Sequence, residues 1–197
     1  MAVSAQDKLL YVANKLGLST LKDMQATTRC IFDTMPAASS SFSFFQNASQ
    51  RNFPATNVEE NQFEANEALL IQSIGFFIPN TTPATGSGIS TGLLDAFPAK
   101  YVVRWEVMIG NKIVLKDNVT FDGVDFSYKI GFGTGTQNAN WIDLEAVGLV
   151  IPPLVDYQVN VSIYDVNANA FGNVLGTRQL ACYLYGTGVL LNFNTSL

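Results

Sequence analysis

The chain has 197 residues, 48% of them apolar and only 14% charged, with a formal net charge of −5 and no histidine. That length suits one ordinary domain with a sizeable core. The lack of any basic cluster disfavours nucleic acid and anionic membranes as partners, and the lack of histidine removes Ser-His-Asp and Cys-His machinery together with most transition-metal sites.

Along the chain, the opening residues MAVSAQDKLLYVANK contain no continuous apolar run, because Asp7, Lys8 and Lys15 interrupt them, so no signal peptide is expected. They do carry a helical pattern. Leu9, Val12, Ala13 and Leu16 fall at i, i+3, i+4 and i+7 and form one apolar stripe. Ser4 is placed to cap the start, with Asp7 three residues on, and Gly17 to stop the helix. A short amphipathic helix of this length is marginal alone and must dock. Two placements are open: on the chain's own sheet, or on a neighbouring subunit. A second, weaker helical segment is expected around Leu18 to Met24.

From residue 27 the texture turns to strands, so the expected organisation is a helical segment over residues 1–26 and one β domain over 27–197. TRCIFDTM and SFSFF are rich in aromatic and β-branched residues. Residues 47–62, polar and carrying Pro54, read as a loop. In EANEALLIQSIGFFIP the first half has helical propensity, but Ile71, Ile74, Phe76, Phe77 and Ile78 favour a long strand ending at Pro79. Residues 80–98 read as a loop. AKYVVRWEVMI alternates, with Tyr101, Val103, Trp105, Val107 and Ile109 on one face. Gly110-Asn111 then signals a hairpin into KIVLKDNVTF. FSYKIGF is a short strand, and GTGTQNAN an open loop. WIDLEAVGLVIP leads into VDYQVNVSIYD, where Val155, Tyr157, Val159, Val161 and Ile163 alternate with polar residues. TRQLACYLYGTGVLLNF closes the chain, read as two strands around Gly186 to Gly188. Eight or nine strands without βαβ alternation predict an antiparallel β-sandwich.

Chemistry is sparse. Cys30 and Cys182 are expected to be buried free thiols, with a single disulfide left open. Two sulfurs without histidine make no ordinary zinc site. Glu59, Glu60, Glu64 and Glu67 cluster in or beside one loop, too close in sequence to face each other across a sugar. Asp122 and Asp125 lack an EF-hand pattern. GSGISTG and GFGTGTQ lack the Gly-Lys-Ser/Thr of a P-loop. No catalytic residue, metal or cofactor is expected. Trp141, following a loop, is the candidate for an exposed sugar-stacking ring.

The stretches RNFPATNVEENQFEANEALLIQSIGFFIP and LEAVGLVIPPLVDYQVNVSIYD resemble those of viral jelly-roll structural proteins, in particular single jelly-roll capsid and capsid-associated proteins of bacteriophages. In the first, the Asn-bearing loop Thr56-Asn57-Val58 leads into a strand pair. In the second, an aliphatic-Pro step precedes a long alternating strand. The resemblance covers roughly residues 40–165. It implies a jelly-roll β-sandwich and a non-enzymatic role in the virion, as shell subunit, vertex or capsid-attached protein. Its partners would be other virion subunits, copies of itself included. Low charge fits that role, because interface cores are depleted in charge. The stripe Leu9, Val12, Ala13 and Leu16 is the candidate subunit-docking element. A carbohydrate- or receptor-binding β-sandwich, using Trp141 on a glycan, is the alternative.

Overall fold

In the computed structural model the described residues are 4–18, 24–36, 40–77, 100–122, 140–144, 146–165 and 179–191, with backbone alone for 77, 100–103, 118–122, 140–141, 163–165 and 179. The loop expected at 80–98, the strand at 126–132 and most of the weak helix at 18–24 lie outside them. So do Asp125, both glycine-rich loops, and the side chains of Asp122 and Trp141.

One helix, α1 (Ala5–Leu16), precedes nine strands: β1 (Gln25–Pro36), β2 (Ser41–Phe44), β3 (Glu67–Phe77), β4 (Lys100–Ile109), β5 (Lys112–Asp122), β6 (Asn140–Asp143), β7 (Leu149–Ile151), β8 (Tyr157–Asp165) and β9 (Gln179–Leu190). All pairings are antiparallel, and all nest except β3–β9 and β4–β8, which form when the ribbon rolls up. β4 pairs β5; outside that hairpin β3 pairs β6 and β7, β2 pairs β8, and β1 pairs β9. Such a nest is a long antiparallel ribbon rolled over itself. It leaves two sheets, ordered β1-β9-β3-β6 (with β7 also on β3) and β2-β8-β4-β5. With β6 and β7 sharing one position, this is the eight-position jelly roll.

Period-two alternation builds the core between the sheets. Tyr157, Val159 and Val161 point inward from β8, Trp105 and Val107 from β4, and Phe42 and Phe44 from β2. They meet Ile31, Leu69, Ile71, Ile74, Phe76, Leu180, Cys182 and Leu184 of the other sheet. Phe76 and Trp105 touch across the gap, with ring centroids 6.5 Å apart.

The helical propensity of residues 64–70 is overridden. β3 lies against β9 along almost its whole length, so its alternate side chains are needed on two faces rather than one stripe. The closing segment differs from the two strands expected. β9 is one continuous strand running through Gly186 and Gly188. Its neighbour β3 bulges between Ile71 and Ser73, and this brings the Leu70 carbonyl so close that a Cβ at Gly186 would collide with its oxygen. The glycine is there for close backbone approach, not to break the strand.

Helix α1 shows the expected caps. Ser4 and Asp7 form a reciprocal capping box. Gly17 adopts φ 71°, and the bonds Leu18 N–H to Ala13 O and Gly17 N–H to Asn14 O complete a Schellman stop. Of the two placements left open, this chain shows the helix on its own sheet. Val12 is buried with Ala68, Leu70, Val189 and Leu191 on the sheet's outer face, and Leu9, Tyr11, Leu16 and Leu18 pack around them. Tyr11 Oη donates to the Gly148 carbonyl at 2.7 Å, and a side chain at Gly148, which sits at φ 61°, would have to push the Tyr11 ring away.

The cysteines are both free. Cys182 is buried, as expected, but Cys30 is exposed. Alternation explains the difference: Cys30 lies opposite Tyr185 and faces out, while Cys182 lies opposite Asp33 and faces in. Opposite faces of one sheet cannot share a disulfide.

Candidate subunit-contact surface

The most elaborately built surface feature is the connection from β2 to β3. It begins at a buried charge. Asp33 occupies an inward position on β1 and is fully buried. Its carboxylate accepts from the Phe45 N–H at 2.6 Å and from Arg51 through Nε at 2.8 Å and Nη2 at 2.6 Å. Arg51 Nη2 also donates to the Gln46 carbonyl. This two-pronged pair satisfies the acid without water and fixes the turn after β2.

Farther along, the same connection is stitched to the free edge of β1. The Asn57 side chain imitates a strand. Its Oδ1 accepts from the Phe32 N–H at 2.7 Å, and its Nδ2 donates to the Cys30 carbonyl at 2.9 Å. Thr56 Oγ1 donates to the Phe32 carbonyl at 2.9 Å. The far end is tied to the turn before β8, where Leu154 N–H donates to Phe63 O and Tyr157 N–H to Asn61 O. Phe63 stacks on Tyr157 at 5.2 Å, and the Arg29 guanidinium lies 4.9 Å over the Phe63 ring while pairing with Glu67 at 2.9 Å.

These anchors hold two apolar side chains in water. Phe53 is 79% exposed and Leu154 is 61% exposed. Leu154 also sits at φ 56°, a left-handed conformation that a leucine seldom adopts. Leu10 on the helix and Val147 next to Gly148 are each half exposed, as are Ile113 and Val114 on β5. Rigid loops presenting apolar side chains are a common basis for protein–protein contact.

The residues singled out in the sequence separate. Leu9, Val12, Ala13 and Leu16 come together on one helical face, with Val12 and Ala13 buried within the chain. Trp141 is placed only by its backbone, which pairs with Gly75. Glu59, Glu60 and Glu64 are exposed, and Glu67 is turned away to Arg29. Among the described residues no group of three or more His, Cys, Asp or Glu side chains could hold a metal ion. Burial raises the Cys182 thiol well above its ordinary value and raises the Tyr157 phenol too. Sequence reasoning did not single out Asp33. Its signal is a lone acid in phase with Ile31 in an otherwise alternating run.

Pairing and burial thus define a jelly-roll β-sandwich whose loops carry exposed apolar side chains. No family model matches the chain and no curated protein matches it. Among solved structures it is similar to a structure of infectious bursal disease virus, Gt strain, at 9% identity and a TM-score of 0.34, covering 91% of this chain and 34% of the other. It is also similar to the VP2 subviral particle of infectious bursal disease virus, at 11% identity and a TM-score of 0.30, covering 90% and 35%. The chain therefore spans about a third of the length of these structures.

Proposed function

We propose that this chain is a non-enzymatic structural protein of a virus particle, of a bacteriophage in particular, serving as capsid subunit, vertex or capsid-attached protein. It acts through contacts with other virion subunits, copies of itself among them. The observation that carries the reading is a rolled single jelly roll, built from a chain poor in charged residues, that presents apolar side chains on pinned loops. Subunit burial would remove Phe53 and Leu154 from water, at about 25 cal/mol per Å² of apolar surface. In this reading helix α1, with its stripe of Leu9, Val12, Ala13 and Leu16, would dock on a neighbouring subunit or cap the sheet where that neighbour sits, and Leu10, half exposed, is free to take part.

The test is the mass of the purified protein in solution, together with its presence in purified particles. A symmetric assembly and a particle-bound chain are expected. A strictly monomeric protein absent from particles overturns the reading. If that monomer binds a glycan saturably and loses it on Trp141→Ala, the chain is a carbohydrate-binding module instead.

A further inference from the structure

Sheet edges are where a β-sandwich meets other strands, and the edges here are protected unequally. Along β5 the edge carries Lys112, Lys116 and Asp117 and is kinked by a bulge opposite Val107 and Met108. β6 and β7 have only four and three residues, and β2 has three of its four side chains buried or half-buried. β1 is different. From Cys30 to Asp33 its outer edge is occupied by Asn57 and Thr56. From Gln25 to Thr28 it is bare among the described residues: all four side chains are exposed, none is charged, and the only paired strand, β9, lies on the other side.

The geometry of this edge is readable. Asn57 bonds the N–H of Phe32 and the carbonyl of Cys30, so even-numbered residues of β1 turn their backbone groups outward. Ala26 and Thr28 therefore present N–H and C=O groups to an incoming strand, the Thr28 carbonyl carrying a long 3.5 Å bond from the Thr27 hydroxyl that an incoming N–H would replace. We infer that two copies of this chain pair through this edge, antiparallel about a two-fold axis at Thr27, with Ala26 of each copy hydrogen-bonded to Thr28 of the other. The inference rests on the assembly reading above and specifies one of its contacts.

Three features select a second copy as the occupant. The stretch Gln-Ala-Thr-Thr is uncharged, so self-pairing brings no like charges together, whereas the β5 edge would oppose its own lysines. An isologous contact about a two-fold axis is the simplest closed symmetry. The ladder is also self-limiting. In this register Cys30 would face Met24 of the second copy, but the Cys30 carbonyl is already taken by Asn57, so the paired ladder stops short of residue 30.

Disulfide trapping tests the register. Thr27 would face Thr27 of the second copy as a non-hydrogen-bonded pair, where Cα atoms come within about 4.5 Å, close enough for a disulfide. Thr28 would face Ala26 from the opposite side of the ribbon. In a Cys30→Ser background, mild oxidation of Thr27→Cys should give a covalent dimer, and Thr28→Cys should give at least tenfold less. Ala26→Pro removes an outward N–H without touching the β9 ladder, so the chain should melt like the parent and lose at least tenfold in dimerisation measured by ultracentrifugation. If Thr27→Cys and Thr28→Cys link equally, or neither links, the pairing is overturned. If higher assembly persists while Thr27→Cys stays unlinked, the pairing falls and the virion reading stands. If the parent chain forms no assembly of any kind, both fall.

Discussion

Asp33 is the residue on which the most local structure depends. It is fully buried, and three donors from the β2–β3 connection converge on it. Removing it orphans the Phe45 N–H and leaves Arg51 with its partner gone. Asp33→Ala is expected to cost about 3 kcal/mol, as loss of one member of a buried pair does, with the figure held down because Arg51 can reach solvent. Urea unfolding checks this, and a loss below about 1 kcal/mol would mean that the pair is replaceable by water. Cys182 gives a pH signature. Burial, and then the Asp33 charge, raise its folded-state value above the ordinary 9.0. The folded chain keeps a proton that the unfolded chain gives up. Stability is therefore full below that ordinary value, falls as pH rises past it, and is lost as pH passes the folded value, with Tyr157 adding to the fall at higher pH. Cys182→Ala should flatten the start of this decline in melts run from pH 8 to pH 11. An unchanged slope would assign the alkaline loss to other groups.

Among the elements, those with a strict period were legible in the sequence. β4, β5 and β8 follow from alternation and the Gly110-Asn111 turn, and α1 from its stripe and caps. What the sequence hid depends on neighbours. Gly186 reads as a strand breaker until the β3 bulge beside it is known. Gly186→Ala would drive a Cβ into the backbone of Leu70, which cannot swing aside as a side chain could. A loss of roughly 2–3 kcal/mol is expected, in the upper range for overpacking, and a variant that melts with the parent would show that the bulge relaxes freely. The placement of α1 was also hidden, since an apolar stripe names no partner. Its contacts in this chain are Val12 and its surroundings on the outer face, plus Tyr11 to Gly148. None of them reaches the core between the sheets. Deleting residues 1–17 should therefore leave strand pairing intact by circular dichroism, lower the melting temperature, and increase binding of an apolar dye at Ala68, Leu70 and Val189. Complete unfolding of the truncated chain would show that α1 is part of the folding core.

At the scale of the whole molecule, the nesting order decides which parts are dispensable. The fold was legible in kind because a sandwich needs strands with one dry and one wet face. The roll itself was not, since no local pattern states that residue 25 pairs with residue 190. Such distant pairings must close large loops before they contribute, so folding is expected to be slow and cooperative. β9 is the point of greatest dependence, because it lies between β1 and β3 and hydrogen-bonds to both. It also supplies Leu180, Cys182 and Leu184 to the core. Losing it leaves β1 without any strand partner among the described residues and opens one wall of the sandwich to water. Deleting residues 179–197 is thus expected to abolish the cooperative thermal transition, although it removes about as many residues as deletion of α1, which should preserve it. The comparison is made on the two truncated chains by calorimetry and by the fluorescence of buried Trp105. A truncated chain without β9 that still melts sharply, near the parent temperature, would show that one sheet and the β2–β3 connection suffice to hold the domain.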